Sequence, residues 1–397
     1  MQDELLFVSP TWPRRGSTGL AMRAWAVAAA LGRRYRVSLV VPRSDGLPEP
    51  TSLPPNVEAA PAHWFTPFEE RVRRYIHAQI PQVYWQLFQV PSDWPRSPLV
   101  PPDIAEKPFA RIHVFRQFMA PFAEPFFGRI PCQLDMDESE SRTRGQLAKL
   151  HRLNGNARLG ALCAHEADFY EKTERLWLPR FDRVFVSSET ERKSLEAGGL
   201  ANEIRLLPNT VTIPPGAREL PLASHSGPGE PFTFLFVGNQ YYLPNADAMC
   251  FFRQCVLPLL RERAPKPFRI HVVGLGPRSK STDASAPEIH SSGYLEDLGD
   301  AYSTAHAVIA PLRAGGGTRI KILEAFAHRC PVISTTIGAE GLTAGHDRHI
   351  LIADSPEAFA DACVRLMKEP NLPARLAANA FNLVTESYGT GALDSLL

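Results

Sequence analysis

One stretch restricts the fold more than any other, because an apolar strand, three consecutive glycines and an amphipathic helix follow one another in it. The strand is predicted at Ala307–Ala310, the glycines are Gly315 to Gly317, and apolar residues recur at helical spacing from Ile320 to Ala327, with Thr318 available as the helix cap. Glycines at a helix start let an anion approach backbone N–H groups beside the positive end of the helix dipole. The stretch therefore favours a phosphate site in a strand-loop-helix fold.

Three charged side chains accompany this helix start. Arg319 and Lys321 add positive charge close to the glycines. Glu324 lies roughly 10 Å from Gly317 along the helix axis, at about 1.5 Å per residue, and on nearly the same face. A diphosphate at the helix start would therefore place the ribose of a nucleotide near Glu324. The residues alone leave open an ordinary solvated helix start in which Glu324 pairs with Lys321.

Length and composition define the class of protein. The 397 residues suffice for two domains, and 43 Lys and Arg against 42 Asp and Glu give no charge-based reason for a nucleic-acid or membrane partner. The six cysteines include no CxxC pair, so neither a disulfide framework nor a structural zinc site is expected. With no visible signal peptide and no apolar run of ~18 residues, the sequence predicts a cytoplasmic protein without a transmembrane segment.

The chain begins with a strand-loop-helix-strand unit. A strand at Leu5–Val8 is followed by a loop containing Gly19, a helix from Leu20 to Leu31 and a strand at Arg36–Pro42. This order predicts a parallel sheet with ligands at the carboxyl ends of its strands. Gly19 would then border the ligand site, and a plain polar connection is the alternative.

Two further predicted strands carry polar residues near their ends. In Arg111–Arg116 these are His113 and Arg116, although a lone histidine is more often structural than catalytic. The strand Cys132–Glu138 contains three carboxylates near its end: Asp135, Asp137 and Glu138. Because Arg142 and Arg144 follow, ion pairs are expected there rather than a metal site.

Residues 60–130 are rich in proline and aromatic residues. A helical insertion is predicted at Glu69–Phe88, where it would either contact an acceptor or cap the sheet. No motif in this region identifies the acceptor.

The second half of the chain repeats the α/β alternation. A helical region at 146–176 and a strand at 182–188 precede it, and strands at Phe232–Asn239 and Arg269–Gly276 begin it. Two Rossmann-like halves are the simplest architecture. The predicted domains are an N-terminal domain at 1–213, a linker at 214–231, a C-terminal domain at 232–371 and a last helical segment at 372–397.

Five spaced motifs resemble the C-terminal domain of the retaining glycosyltransferases called family 4, or group 1. They are Phe236-Val237-Gly238, Val273-Gly274-Leu275-Gly276, Gly293-Tyr294-Leu295, Gly315 to Glu324, and Pro331 to Thr335 with Gly338 to Leu342. Weaker matches extend the resemblance into the N-terminal half.

The resemblance implies the GT-B fold, an α/β fold in which two Rossmann-like domains with parallel sheets face each other across a cleft. The last helix would cross back to the N-terminal domain. It further implies a hexosyltransferase-type enzyme that transfers a sugar, with retention at the anomeric carbon, from a nucleotide-diphosphate donor to an acceptor. UDP is the expected nucleotide, and neither a metal nor a cofactor is expected.

The resemblance also implies roles for individual residues. Glu324 matches the second Glu of the family's Glu-x7-Glu motif, which holds the ribose hydroxyls, and the backbone of Gly317 to Arg319 would bind the diphosphate. Gly274, Gly276 and the Leu295 region would border the base. The implied donor-binding residues are Gly19, Gly238, Asn239, Gly274, Gly276, Leu295, Gly316, Gly317, Thr318, Arg319 and Glu324.

The chain departs from the family pattern at two places. The first Glu of Glu-x7-Glu falls at Gly316, and Asn239 and Gln240–Leu243 replace the Arg and Lys that commonly follow the first strand of this domain. We interpret the sequence as a Gly-Gly-Gly-Thr-Arg-x-Lys-x-x-Glu variant. The implied catalytic residues are Arg319 and Lys321, which would stabilise charge on the departing diphosphate, Arg116, which would do the same or contact the acceptor, and His113, which would touch the donor sugar.

Two other functions are compatible with the same fold. A sugar-nucleotide epimerase would need acid and base groups, for which Asp137, Glu138 and Glu340 are the clustered candidates. A non-catalytic partner that binds nucleotide sugar is compatible with the missing first Glu. An assay without acceptor separates the epimerase from a transferase.

Overall fold

The computed structural model describes residues 2–15, 18–41, 50–60, 100, 102–217, 230–276, 286–394 and 396–397. The chain divides into two compact units: Met1–Asn209 with Leu393–Leu397 form the first unit, and Thr210–Ala392 form the second unit. The predicted helical insertion at Glu69–Phe88 lies outside the described residues, as does most of the predicted linker at 214–231.

The first unit contains a parallel seven-stranded sheet in the order β3-β2-β1-β4-β5-β6-β7. Alternate residues of an interior strand, Glu4–Val8, pack into two hydrophobic clusters, Leu6 in one and Phe7 in the other. Burial on both faces is typical of parallel sheets, and the predicted parallel sheet is confirmed. The strands are β1 (Glu4–Val8), β2 (Arg36–Val40), β3 (Val57–Ala59), β4 (Arg111–Phe115), β5 (Cys132–Asp137), β6 (Arg183–Val186) and β7 (Ile204–Leu206).

The helices described in the first unit are α1 (Gly19–Gly32), α2 (Pro102–Ala105), α3 (Glu140–Leu153), α4 (Ala157–Trp177) and α5 (Glu189–Ala197), with 3-10 helices at Gln117–Phe126 and Leu178–Arg180. The region at 146–176, predicted as one helical stretch, is therefore divided. Gly155 has a φ of 76°, which an α-helix does not accommodate, and the side chain of Asn156 caps α4 by accepting from the N–H of Leu159.

The second unit contains a parallel six-stranded sheet in the order β10-β9-β8-β11-β12-β13. In units of its own strands this is the order 3-2-1-4-5-6 of the Rossmann fold, which confirms the prediction of a second α/β half. The strands are β8 (Phe232–Val237), β9 (Phe268–Val273), β10 (Ile289–Gly293), β11 (Ala307–Ala310), β12 (Val332–Ser334) and β13 (Leu351–Ile352).

The helices described in the second unit are α6 (Leu243–Phe251), α7 (Leu257–Arg263), α8 (Gly299–Ser303), α9 (Ile320–Ala327), α10 (Pro356–Lys368) and α11 (Leu372–Ser387). A π-helical turn at Phe252–Val256 joins α6 to α7. Across the described ranges, no helix has the length and apolar character needed to cross a membrane.

The start of α9 differs from the prediction. Arg319, not Thr318, is the residue before the helix, and its side chain makes no capping hydrogen bond. Thr318 therefore does not act as the helix cap. The backbone becomes helical only after Arg319, so Thr318 is one residue before the capping position.

Candidate functional site

The glycine loop lies at the carboxyl end of β11, where a parallel α/β sheet places its ligands. Gly315 has a φ of 131° and Gly317 a φ of 62°, in the region that side-chain-bearing residues rarely adopt. The loop continues directly into α9, and the side chain of Arg319, the residue before the helix, makes no capping hydrogen bond to its first turn. Gly316, Gly317 and Thr318, which the sequence places in the donor site, thus form the approach to an uncapped helix start.

The side chain of Arg319 folds back onto this loop. Its guanidinium donates hydrogen bonds to the carbonyl oxygens of all three glycines, including that of Gly317 at 2.6 Å and that of Gly315 at 2.7 Å. A fourth bond of 3.2 Å reaches the carbonyl of Ile337, and Arg319 is only 8% exposed. A direct contact between Arg319 and a diphosphate stays a prediction.

Lys321 supplies a second positive charge in the first turn of α9. Its ammonium donates to Asn245 Oδ1 at 2.7 Å and lies 4.6 Å from the ring centre of Phe236. A β-carbon on Gly238 would come within 2.8 Å of the Lys321 Nζ atom, so the glycine leaves room for the ammonium. Desolvation by burial lowers the pKa of Lys321 to about 7, with the charge of Arg319 acting in the same direction.

Glu324 lies one turn further along α9. Burial raises the pKa of its carboxyl to about 7, against the opposing effects of the Tyr302 hydroxyl and the Lys321 charge. The Tyr302 hydroxyl donates to Glu324 Oε2 at 3.3 Å, and its ring stacks on His328 at 4.6 Å. Both charged groups of α9 are partly buried and hydrogen-bonded to other residues, which differs from the alternative of a solvated Glu324–Lys321 pair.

Glycines also pack together the loops that follow β8 and β9. Gly274 has a φ of 140°, and a β-carbon there would lie 2.1 Å from the carbonyl oxygen of Gly238. A β-carbon on Gly276 would lie 2.9 Å from that of Gln240. These predicted donor residues are therefore required by local packing, whatever else they contact.

Asn239 and Leu295 complete the predicted donor residues of the second unit. Asn239 is occupied within its own loop, since its Oδ1 accepts from the N–H of Tyr241 at 2.9 Å and its carbonyl accepts from Asn245 Nδ2 at 2.9 Å. Leu295 is partly buried against a hydrophobic cluster of the second unit. Asn245 thus connects the loop after β8 to the ammonium of Lys321.

His113 is in the middle of β4 rather than near its end. The side chain is fully buried, with its ring 5.5 Å from that of Phe7 and 6.1 Å from that of Phe185. Burial, with the charges of Arg23 and Arg111 acting in the same direction, lowers the pKa of His113 to about 3. The expected position near the strand end is therefore wrong, and a contact between His113 and the donor sugar stays a prediction.

Arg116 follows β4 directly and is enclosed by carboxylates. It donates to Asp137 at 3.1 Å, to Glu138 at 2.9 Å and to Glu140, and it has a φ of 73°. The ion pairs expected for the carboxylates of β5 are confirmed, but their described partners are Arg116 and Arg23. These contacts occupy the guanidinium that the resemblance assigned to a phosphate or acceptor.

Other residues of the first unit that the sequence singled out have structural partners. Gly19 is the first residue of α1, which the Thr18 side chain caps by accepting from the N–H of Ala21 at 3.3 Å. Arg23 makes a buried bidentate pair with Asp135 at 2.7 and 3.0 Å. The candidate epimerase carboxylates are divided between the units, with Glu340 in the second. Within the described ranges, no group of three or more His, Cys, Asp or Glu residues could hold a metal ion.

Three residues of the site were not found from the sequence. Asn245 and Phe236 contact Lys321, and Tyr302 contacts Glu324. Asn245 is 76 residues from its partner, so no local spacing reveals the contact. Tyr302 occupies an apolar position in a helix, and its hydroxyl was the one sequence signal of a polar role.

Solved structures share the fold of the whole chain. Sucrose-phosphate synthase from Thermosynechococcus elongatus is similar with a TM-score of 0.66 and 15% identity, over 100% of this chain and 97% of that one. HepE from Anabaena, solved in complex with UDP and glucose, has a TM-score of 0.62 and 12% identity over 100% and 98%. A glycosyltransferase from Rickettsia africae has a TM-score of 0.61 and 11% identity over 100% and 96%. The two parallel α/β units thus match the GT-B fold of these structures.

A sequence comparison gives a family match within the second unit. Residues 231–369 match the family described as glycosyl transferases group 1. A curated protein of Klebsiella pneumoniae, described as an uncharacterized 44.6 kDa protein in the cps region, is 26% identical over 163 residues. The match covers 39% of this chain and 42% of that protein, so the chain spans less than half of that relative.

Proposed function

We propose that this protein is a retaining glycosyltransferase that moves a sugar from a nucleotide-diphosphate donor, a UDP-sugar, to an acceptor without a metal or cofactor. One observation carries the proposal: the glycine loop is followed by an uncapped helix whose first turns present the Lys321 ammonium and the Glu324 carboxylate. The match of residues 231–369 to glycosyl transferases group 1 supports the same reaction class.

The diphosphate binds at the start of α9. Backbone N–H groups of the glycine loop and the uncapped first turn provide donors, and the helix dipole adds partial positive charge. When it is protonated, Lys321 adds a unit charge in a partly buried site, where electrostatic attraction exceeds that in water. This charge takes over the role that a divalent cation has in metal-dependent transferases.

The ribose hydroxyls bind the carboxylate of Glu324. An ionised carboxylate accepts hydrogen bonds from two neighbouring hydroxyls, and Tyr302 already fixes one of its oxygens from the protein side. Binding of the nucleoside therefore requires Glu324 in the ionised form.

Transfer with retention needs little from a protein base. The leaving diphosphate accepts the proton of the acceptor hydroxyl on the face from which it departs, so the protein contributes positioning and stabilisation of the growing negative charge. Lys321 and the loop N–H groups supply that stabilisation. UDP as the nucleotide is supported by HepE, a similar fold solved with UDP and glucose.

The test is calorimetric binding of a panel of nucleotide diphosphates and UDP-sugars, followed by product analysis with and without acceptor mixtures. We expect UDP and a UDP-sugar to bind to the wild type. Glu324→Gln and Lys321→Met should each weaken binding about tenfold or more, because each removes one charge-assisted hydrogen bond. Glu357→Gln and Lys368→Met change exposed residues of α10 and serve as matched controls.

The same experiment separates the other functions. Conversion of a UDP-sugar in the absence of acceptor would indicate an epimerase. Binding without turnover across the acceptor panel would indicate a non-catalytic partner, and absence of binding by every nucleotide would refute the proposal.

A further inference from the structure

We propose that Arg319 is a positioning residue that orients the glycine loop, and that it does not itself contact the diphosphate. This inference rests on the proposed function of the second unit and reassigns one residue within it. It distinguishes two cations that are only two positions apart in the sequence, Arg319 and Lys321.

The hydrogen bonds of Arg319 leave its two terminal nitrogens with no N–H for a phosphate. An arginine has five N–H groups, four of them on its two terminal nitrogens. One terminal nitrogen donates to Gly316 and Gly317, and the other donates to Gly315 and Ile337. All four terminal N–H groups therefore have a carbonyl partner, and bidentate binding of a phosphate would require breaking at least one of these bonds.

The same bonds determine the direction of the loop N–H groups. In a planar trans peptide, the carbonyl and the N–H that follows it point in opposite directions. Each glycine carbonyl that turns toward the guanidinium therefore sends the next N–H away from it, which applies to the N–H groups of Gly316, Gly317 and Thr318. In the described part of the chain, no backbone bond is donated by Gly316 or Gly317, so these two N–H groups are available to an anion.

The conformation of the glycine loop explains why a guanidinium is needed. Gly315 and Gly317 adopt φ values of 131° and 62°, and the loop directs three successive carbonyl dipoles to one place. Their mutual repulsion is offset by the guanidinium, which is planar and carries its donors in a fixed arrangement. A lysine ammonium has a single nitrogen with three donors and cannot bond four carbonyls at once.

Substitution of Arg319 by lysine separates positioning from charge. Binding of UDP is measured by calorimetry for the wild type, Arg319→Lys, Arg319→Met and Lys321→Met at low and high ionic strength. If Arg319 positions the loop, Arg319→Lys loses affinity about tenfold or more, nearly as much as Arg319→Met, since oriented N–H donors are lost in both. If Arg319 acts as a charge, Arg319→Lys retains most of the affinity.

The salt dependence gives a second readout, which separates a direct ion pair with the ligand from positioning of the loop. Direct ion pairs with the ligand are screened by salt, whereas loop orientation is not. We expect Arg319→Met to keep the salt dependence of the wild type and Lys321→Met to reduce it. An equal reduction in both variants would overturn the inference.

A variant that retains Arg319 controls for misfolding of the Arg319 variants. Gly317→Ala places a β-carbon on a residue with a φ of 62° and should disturb the same loop while the guanidinium remains. We expect a similar loss of affinity with an unchanged salt dependence, and full affinity in Gly317→Ala would contradict the role of the loop geometry. Failure of the wild type to bind any nucleotide diphosphate would instead refute the proposed function.

Discussion

Donor binding should have a bell-shaped pH dependence, because it requires Lys321 to be protonated and Glu324 to be ionised. Both groups have a pKa of about 7, lowered in the lysine and raised in the glutamate by burial. The sign follows from each group: protonation of the carboxylate weakens binding below pH 7, and deprotonation of the ammonium weakens binding above it.

The magnitude follows from the fraction of molecules that carry both charges. With independent titration, about one quarter do so at pH 7 and about one in a hundred at pH 5 or pH 9, and apparent affinity scales with this fraction. The affinity should therefore fall about 25-fold on either side, and the slope of each limb should approach tenfold per pH unit.

The assay is calorimetric titration of UDP-glucose at constant ionic strength between about pH 5 and pH 9. A nucleotide sugar is preferred over UDP because its diphosphate has no proton that titrates near neutral pH. Glu324→Gln should lack the acidic limb, and Lys321→Met should lack the alkaline limb. Glu357→Gln and Lys368→Met should retain both. An alkaline limb that persists in Lys321→Met, or a flat profile in the wild type, would refute the reasoning.

Three further substitutions test individual contacts. Tyr302→Phe removes a donor to ionised Glu324, so the acidic limb of the binding profile should move to higher pH. The pKa of His113 is about 3 in the folded protein, against 6.5 unperturbed. Its contribution to the free energy of unfolding is therefore present above pH 6.5 and declines by about 1.4 kcal/mol per pH unit below it. Urea unfolding of His113→Leu should lack this loss of stability. Gly274→Ala should lower stability by about 1 kcal/mol or more in thermal unfolding, and Gly391→Ala, where a β-carbon meets open space, should not.

Each of these tests has an outcome that would contradict it. An unmoved acidic limb in Tyr302→Phe would mean that the tyrosine does not influence Glu324. For His113 the quantity to compare is the difference in unfolding free energy between wild type and variant. This is necessary because buried carboxyls with raised pKa values, such as that of Glu191 at about 7, stabilise the folded protein on acidification. Equal stability of the two glycine variants would remove the steric argument at Gly274.

The fold was predictable because its signals are local. Apolar runs separated by glycine, proline and polar turns identify the strands, and the alternation of strands with helical segments implies parallel sheets. The break between α3 and α4 was missed, since helical periodicity on both sides concealed the effect of Gly155. The capping residue was misplaced by one position at α9, because the glycine loop extends through Arg319.

The candidate site was predictable in composition and not in contacts. The sequence identified the glycine loop, Lys321 and Glu324, whose positions are determined by one strand-loop-helix segment. Charge alone suggested that Arg319 faces a ligand, whereas the direction of its side chain depends on carbonyls that converge only when the loop has its positive φ angles. His113 was misplaced for a similar reason, as residue type does not tell the middle of a strand from its end.

The bonds between Arg319 and the glycine carbonyls have a consequence for evolution. A side chain at position 315 or 317 would force the backbone away from positive φ, and the arginine would then lose its acceptors. Loss of the arginine would equally leave three carbonyls without their donor. We therefore expect these positions to covary, so that homologous sequences carry both the outer glycines and the arginine, or neither.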